Sequence, residues 1–436
     1  MVSIGDQRVL VAEDRLAAVK PAGVRAPDAA APSSSRQRLD TIDLVRGAVM
    51  VLMVLDHTRD FVHTGGFFMD PTNADASTPI LYLTRWVTHL CAPTFVLLAG
   101  LGIGLRRLRG SPVRDLSRFC LTRGLWLMAM ELLVVHPLSW WNVEIAFLAH
   151  LQVIWAIGVS MVVMSALVYL PVRTTTILGA VIVLGHNALD AVQVPRWFGP
   201  TDPLPSVAGK LWMMLHQGGF FPIDGFPSPV VWAHYPVVPW IGIMAVGYGL
   251  SQVYAWPAEA RRRFLIRSAA AMAIAFVVIR ATNLYGDPSP WAPRAETVRT
   301  VMSFFSVSKY PPSLLYALAT LVPAMLTLGL WDGRQFSRGV PGALVTFGRV
   351  PFFFYLLQWP TAHGAGFLVT ALQGKDTSLY FMNVLQLFAL RSIPDYGGPL
   401  WVAYLCWILG VFLLYWPCRW FAGVKARRKE WWLSYL

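Results

Sequence analysis

Apolar runs of about twenty residues recur along this chain, and a run of that length has few structural options. About 20 helical residues cross the hydrocarbon core of a bilayer. Lipid offers no partner to a backbone amide, so only helices and closed barrels span it. A barrel would instead show short alternating segments. Candidate spans lie near residues 42–63, 79–105, 118–137, 147–170, 174–190, 233–254, 265–284, 312–331, 350–372 and 399–420. The predicted fold class is therefore all-α, a polytopic transmembrane helix bundle of about ten helices. An even number of helices puts both termini on one side. No internal repeat stands out.

The side follows from the basic residues, which accumulate in cytoplasmic loops. Arginine and lysine crowd the connections around Arg106 and Arg118, Arg261 and Arg267, Arg334 and Arg349, and Arg419 and Lys429. The alternate loops, 191–232, 285–311 and 373–398, are long and carry fewer. Both termini are thus expected to be cytoplasmic, with the long loops facing outward. The net charge of +13 is read the same way, with the lipid bilayer as partner and no nucleic acid. Cys91, Cys120, Cys406 and Cys418 form no CxxC pair and suggest neither a disulfide framework nor a zinc site. Residues 1–37, rich in Ala, Pro and Ser, are expected to be a disordered cytoplasmic tail without the apolar core of a signal peptide. The membrane domain is placed at 38–422, followed by a basic cytoplasmic tail at 423–436.

Ionisable side chains inside a membrane are costly, and their default reading is functional. Arg46 and His57 lie eleven residues apart in the first span. Three helical turns put them on one face, roughly 16 Å apart along the axis. His57 then sits roughly 9 Å from the outer surface at ~1.5 Å per residue. It has Asp56 beside it and Asp60 at i+3. An imidazole can accept a proton from a nucleophile, and a carboxylate can fix its tautomer. The plain alternative is a histidine bonded between helices. Arg46, one turn inside the cytoplasmic end, suits a phosphate-bearing ligand, or else snorkels to the interface. Arg123 on the third span faces the same mouth.

Arg85 and His89 share a face of the second span, at about the depth of His57. An ion pair between Arg85 and Asp56 or Asp60 would give them a structural role. His57 and His89 lack a third metal ligand, so no metal is expected. His234-Tyr235-Pro236 and the stretch Ser308-Lys309-Tyr310-Pro311-Pro312-Ser313 border two spans. Such proline-rich breaks either shape a cavity mouth or simply begin a helix. Glu131, His136, His150, Gln152, His186, Asn187, Arg280 and Asn283 read as hydrogen-bond partners between helices. Gly100 and Gly104 read as a close-packing site. No P-loop, Rossmann fingerprint or nucleophile elbow stands out.

The stretch Asp43-Leu44-Val45-Arg46-Gly47 through Asp56-His57-Thr58-Arg59-Asp60 resembles the start of the bacterial relatives of heparan-α-glucosaminide N-acetyltransferase. Leu83 to Pro93, Lys309 to Ser313 and Phe347 to Tyr355 look like the same family, and the likeness spans about 40–420. The Arg46/His57 spacing also resembles a motif of the acyltransferase-3 family. That family's paired-arginine motif on the third helix is not matched by Arg118 and Arg123. A second departure is Gln358, where close relatives carry histidine; His363 is nearby.

The resemblance implies a multi-pass acyltransferase of the bacterial inner membrane using acyl-CoA, with acetyl-CoA as the donor. Arg46 and Arg123 would hold the nucleotide end, and His57 with Asp56 and Asp60 would carry the catalysis. Arg85, His89, His234 and Lys309 would contact an acceptor amine or hydroxyl on a sugar or glycan outside. The resemblance leaves a homodimer open. A proton-coupled secondary transporter of a small solute, using the same intramembrane charges, is the rival class.

Overall fold

Ten apolar stretches need ten ways of satisfying their backbone, and each of the ten segments contains a helix. The computed structural model describes residues 39–143, 147–224, 229–390, 392–428 and 430–435; the predicted tail at 1–37 lies outside these residues. The chain is mostly helical, 69% helix with 4% strand.

Helix α1 is Asp40–Val62. Helices α2 (Pro79–Thr88) and α3 (Cys91–Leu108) follow one another across a break at His89 and Leu90. Helix α4 (Val113–Met130) runs through a π turn, Glu131–Val135, into α5 (His136–Trp140). Then come α6 (Val153–Leu167), α7 (Val172–Gly185) and the short α8 (Val207–Trp212). Helices α9 (Val237–Leu250), α10 (Ala258–Thr282), α11 (Thr297–Phe305) and α12 (Leu314–Leu330) continue the chain. Helices α13 (Gly339–Arg349) and α14 (Pro351–Leu372) meet at a 99° bend. The short α15 (Val384–Phe388) precedes the last helix, α16 (Leu400–Arg427), which takes in residues 423–427 of the expected basic tail.

Among the described residues, six helical stretches are long and apolar enough to cross a bilayer, or seven if the bent pair is one span. That is fewer than the ten expected. The other three segments are α6 and α12, which are shorter, and α1, which is charged. At 23 residues, α1 is long enough, about 35 Å. It carries Asp40, Asp43, Arg46, Asp56, Arg59 and Asp60, and it is wrapped by α2, α3, α12, α13, α14 and α16. Protein, not lipid, surrounds its charges.

The segment expected to be helical from residue 147 begins as a strand. Strand β1 (Phe147–Leu151) pairs in parallel with β3 (Val230–Ala233), which pairs antiparallel with β2 (Gly219–Pro222). Four apolar residues around one histidine do not distinguish strand from buried helix by period, so the sheet is not legible locally. Its register sets Trp232 opposite His150 on one side and Phe220 on the other. The fold is thus helical with one small sheet, not purely α.

Two close approaches fix the bundle around α1 and α3. A Cβ on Gly47 would stand 1.8 Å from the Leu344 carbonyl oxygen, and one on Gly348 would stand 1.9 Å from that of Asp43. Helices α1 and α13 therefore touch backbone to backbone. Gly100 meets the Met244 carbonyl and Gly104 meets Ser251 in the same way. The expected close-packing pair thus seats α3 against the α9 region within the chain.

Candidate active site

The last two turns of α1 place four polar side chains, Asp56, His57, Arg59 and Asp60, at the wall of one cavity of about 540 Å³. Arg59 donates to Asp56 at 3.2 Å and pairs with Asp60 on its own helix; Arg85 reaches across from α2 to the other oxygen of Asp56. Two guanidinium groups and two carboxylates thus hold one another, and the buried charges are matched. Such a network depends on every partner, since removing one from a buried pair costs about 3–5 kcal/mol.

His57 stands beside this network. Its Nδ1 is 4.0 Å from Asp60 Oδ2, beyond a hydrogen bond. Its ring lies against the Trp359 indole of α14, with centroids 3.9 Å apart. A second, narrower cavity of about 30 Å³ shares Asp56, His57, Gln152, Tyr235 and Lys309 with the first and is otherwise lined by residues such as Met53, Cys91, Phe95 and Tyr355. Met53 lies one turn toward the N-terminus of α1 from His57, whereas Asp60 and Phe61 of the wide cavity lie toward its C-terminus. His57 therefore stands where a narrow cavity of mixed lining meets a wide mouth.

The small sheet supplies the opposite wall. His150 of β1 and His234 after β3 are hydrogen bonded, Nε2 to Nδ1, at 2.8 Å. Both rings stack on Trp232, at 4.1 and 4.2 Å. The Gln152 amide donates to His150 Nδ1 at 3.0 Å. That leaves Nε2–H of His150 to donate to His234 Nδ1, and it gives His234 a proton on its own Nε2. Lys309 is itself buried, with Nζ 5.1 Å from the Tyr310 ring centre and 5.8 Å from that of Tyr235.

A family model described as heparan-alpha-glucosaminide N-acetyltransferase, catalytic, matches residues 38–285. The chain belongs to this family. It is one of membrane acetyltransferases, and a cavity of this kind suits their chemistry. No curated protein matches the chain. The part matched to the N-acetyltransferase family holds α1, α2 and the sheet, and with them Asp56, His57, Asp60, Arg85, His89, His150 and His234. Lys309, Tyr310 and Trp359 come from beyond it and close the same cavity.

Of the residues singled out in the sequence, the cavity gathers Asp56, His57, Asp60, Arg85, His89, His234 and Lys309. Arg46 and Arg123 line neither cavity. Arg46 donates to Asp43 at 2.8 Å and to the Gly348 carbonyl at 3.0 Å, across the α1–α13 contact. The Arg123 guanidinium lies over the rings of Trp126 and Tyr435. The face shared by Arg46 and His57 thus runs along three turns, but the two side chains serve different surroundings. His89 is buried at the break between α2 and α3, next to the Tyr316 ring.

His150 and Gln152, expected between helices, instead line the cavity from the strand. His363 sits apart from it, its two nitrogens at 2.8 Å from the Ser139 and Tyr380 carbonyls. Gln358 is fully buried on α14, and its amide has no partner among the described residues. Its neighbour Trp359 is the residue that reaches His57. Sequence reasoning missed Trp359, although Pro360 after it, a proline inside an apolar helix, marks the spot.

Proposed function

We propose that this acetyltransferase moves the acetyl group of acetyl-CoA to an amine or hydroxyl of an extracytoplasmic sugar or glycan. One observation carries the reading: His57 lies at the junction of the narrow cavity and the wide mouth. The acetyl group suits the narrow cavity, which has room for a small group beside Met53, Phe95 and Tyr355. A sugar suits the mouth, where Trp140, Trp232 and Tyr310 offer ring faces and Asp60, His234 and Lys309 offer polar contacts. Pockets of this make-up, aromatic walls with a few placed polar groups, bind small polar ligands.

His57 takes the proton from the acceptor nitrogen or oxygen as that atom attacks the thioester carbonyl. The C–S bond then breaks, the acetyl group remains on the acceptor, and His57 returns the proton to the departing thiolate. The ion network of Asp56, Arg59, Asp60 and Arg85 fixes the α1 turn that presents His57. Arg85, His89, His234 and Lys309 bind the acceptor, and Arg123 binds the nucleotide end of the donor, whereas Arg46, held by Asp43 and the Gly348 carbonyl, braces the α1–α13 contact. In this reading all ten apolar segments, α1 included, cross the bacterial inner membrane. Both termini are cytoplasmic, and the mouth faces outward.

The test is thioester loss from acetyl-CoA by purified protein in detergent, with and without glucosamine, for wild type and His57→Ala. His57-dependent release of free thiol supports the reading. Folded wild-type protein that neither binds nor consumes any acyl-CoA overturns it in favour of solute transport.

A further inference from the structure

A second cluster of metal-competent side chains lies outside this cavity, at the far end of α7. His186 belongs to the 3-10 turn His186–Leu189 that ends the α7 stretch, Asp190 follows it, and His216 sits in the π turn Met213–Gln217. One donor atom from each lies within 4.8 Å of the others. We propose that these three residues form a structural binding site for a divalent transition metal of the zinc type, which braces the loop carrying Lys309 and Tyr310.

The donor set is the first argument. Two imidazoles and a carboxylate are the N/O ligands that zinc takes, with water in the fourth position. His216 Nε2 and Asp190 Oδ1 are 3.0 Å apart. Two ligands of one tetrahedral zinc stand roughly 3.3 Å apart at ~2.0 Å bonds, so this pair is already at coordination spacing.

The second argument is what the polar atoms lack. His186 is 4% and His216 is 1% exposed, and Nδ1 of His186 is buried with no hydrogen-bond partner. A buried unpaired imidazole nitrogen is costly, and a metal bond removes that cost. Asp190 is oriented by a neighbour, its Oδ2 accepting from Asn187 at 2.8 Å, as the outer partners of metal ligands do. Among the described residues no lysine or arginine pairs with Asp190, so the site keeps one uncompensated negative charge for the cation.

The connections give the site its role. Asn187, next to His186, accepts at Oδ1 from the backbone N–H of Leu314 at 2.9 Å. Metal binding at residues 186, 190 and 216 would lock the start of α12. The segment before it, with Lys309 and Tyr310, forms a wall of the cavity. The site stands independently of the proposed acetyl transfer, and its test does not read turnover.

The experiment is metal content. Full-length protein in detergent is incubated with zinc chloride, desalted and analysed by plasma mass spectrometry, with thermal unfolding recorded with and without zinc. Wild type should retain about one zinc per chain, and zinc should raise its midpoint reversibly with a chelator. His216→Ala should lose both. Should that variant fail to fold, Asp190→Asn keeps the shape and removes the charged ligand, so its zinc retention should fall at least about tenfold. A wild-type chain that retains no zinc and shows no thermal shift overturns the proposal. So does a folded Asp190→Asn protein that retains zinc as wild type does.

Discussion

The two ends of α1 carry nearly the same residues and do different things. At the N-terminal end, Arg46 bonds Asp43 and the Gly348 carbonyl, and Arg349 of α13 bonds Asp40 at 3.1 Å. At the C-terminal end, Arg59 and Arg85 hold Asp56 and Asp60. Both are aspartate–arginine networks built on i,i+3 spacing and a partner from a neighbouring helix. The first sits where Gly47 and Gly348 bring backbones together, and neither cavity reaches it. The second lines a cavity and flanks an imidazole that faces it. Paired charges alone therefore say little about chemistry. What sets the C-terminal end apart is an imidazole left beside the network and a cavity that faces it.

The sharpest way to break this contrast is His57→Ala. Loss of a general base costs on the order of 10²–10⁴ in rate, and the Tm should hardly move because His57 belongs to no ion pair within 3.5 Å. Thiol release from acetyl-CoA and thermal unfolding together check both halves. Asp56→Asn should hurt both quantities, because Arg59 and Arg85 lose their shared carboxylate. Breaking a buried pair costs about 3–5 kcal/mol, to be read as a lowered Tm with reduced turnover.

Arg46→Ala tests the other end. It should lower the Tm while shifting the KM for acetyl-CoA by less than about threefold, under 1 kcal/mol. A large rise in KM would restore Arg46 to donor binding and erase the contrast. His234→Ala is expected to act more mildly still, raising the acceptor KM by about tenfold for one lost hydrogen bond. The donor KM should stay unchanged in the same assay.

The legible part of the molecule was the part written in periodicity and charge. Long apolar runs gave the helices, and the intramembrane charges of α1 and α2 led to the cavity, since a charge kept in an apolar helix has to face protein. Lys309 and His234 were reachable because proline-rich breaks flank them. The sheet was not, because the five residues before Gln152, four of them apolar, fit a helix as well as a strand. With it went His150 and Trp232, whose roles depend on a pairing between residues some eighty positions apart. Trp359 was hidden among the aromatic residues of α14, and only tertiary packing distinguishes it from Trp401 or Trp416 facing outward. The bend of 99° before Pro351 was signalled by that proline, yet the folding of α13 back onto α1 was set by Gly47 and Gly348, a contact no local pattern announces.

In the proposed acetyl transfer, donor and acceptor reach His57 from opposite ends of α1. Sealed proteoliposomes holding the protein in one orientation test it directly, with acetyl-CoA on the side of the α1 N-terminus and glucosamine on the other. The account predicts N-acetylglucosamine on the acceptor side, abolished by His57→Ala. Product that forms only when both substrates share one side would contradict it.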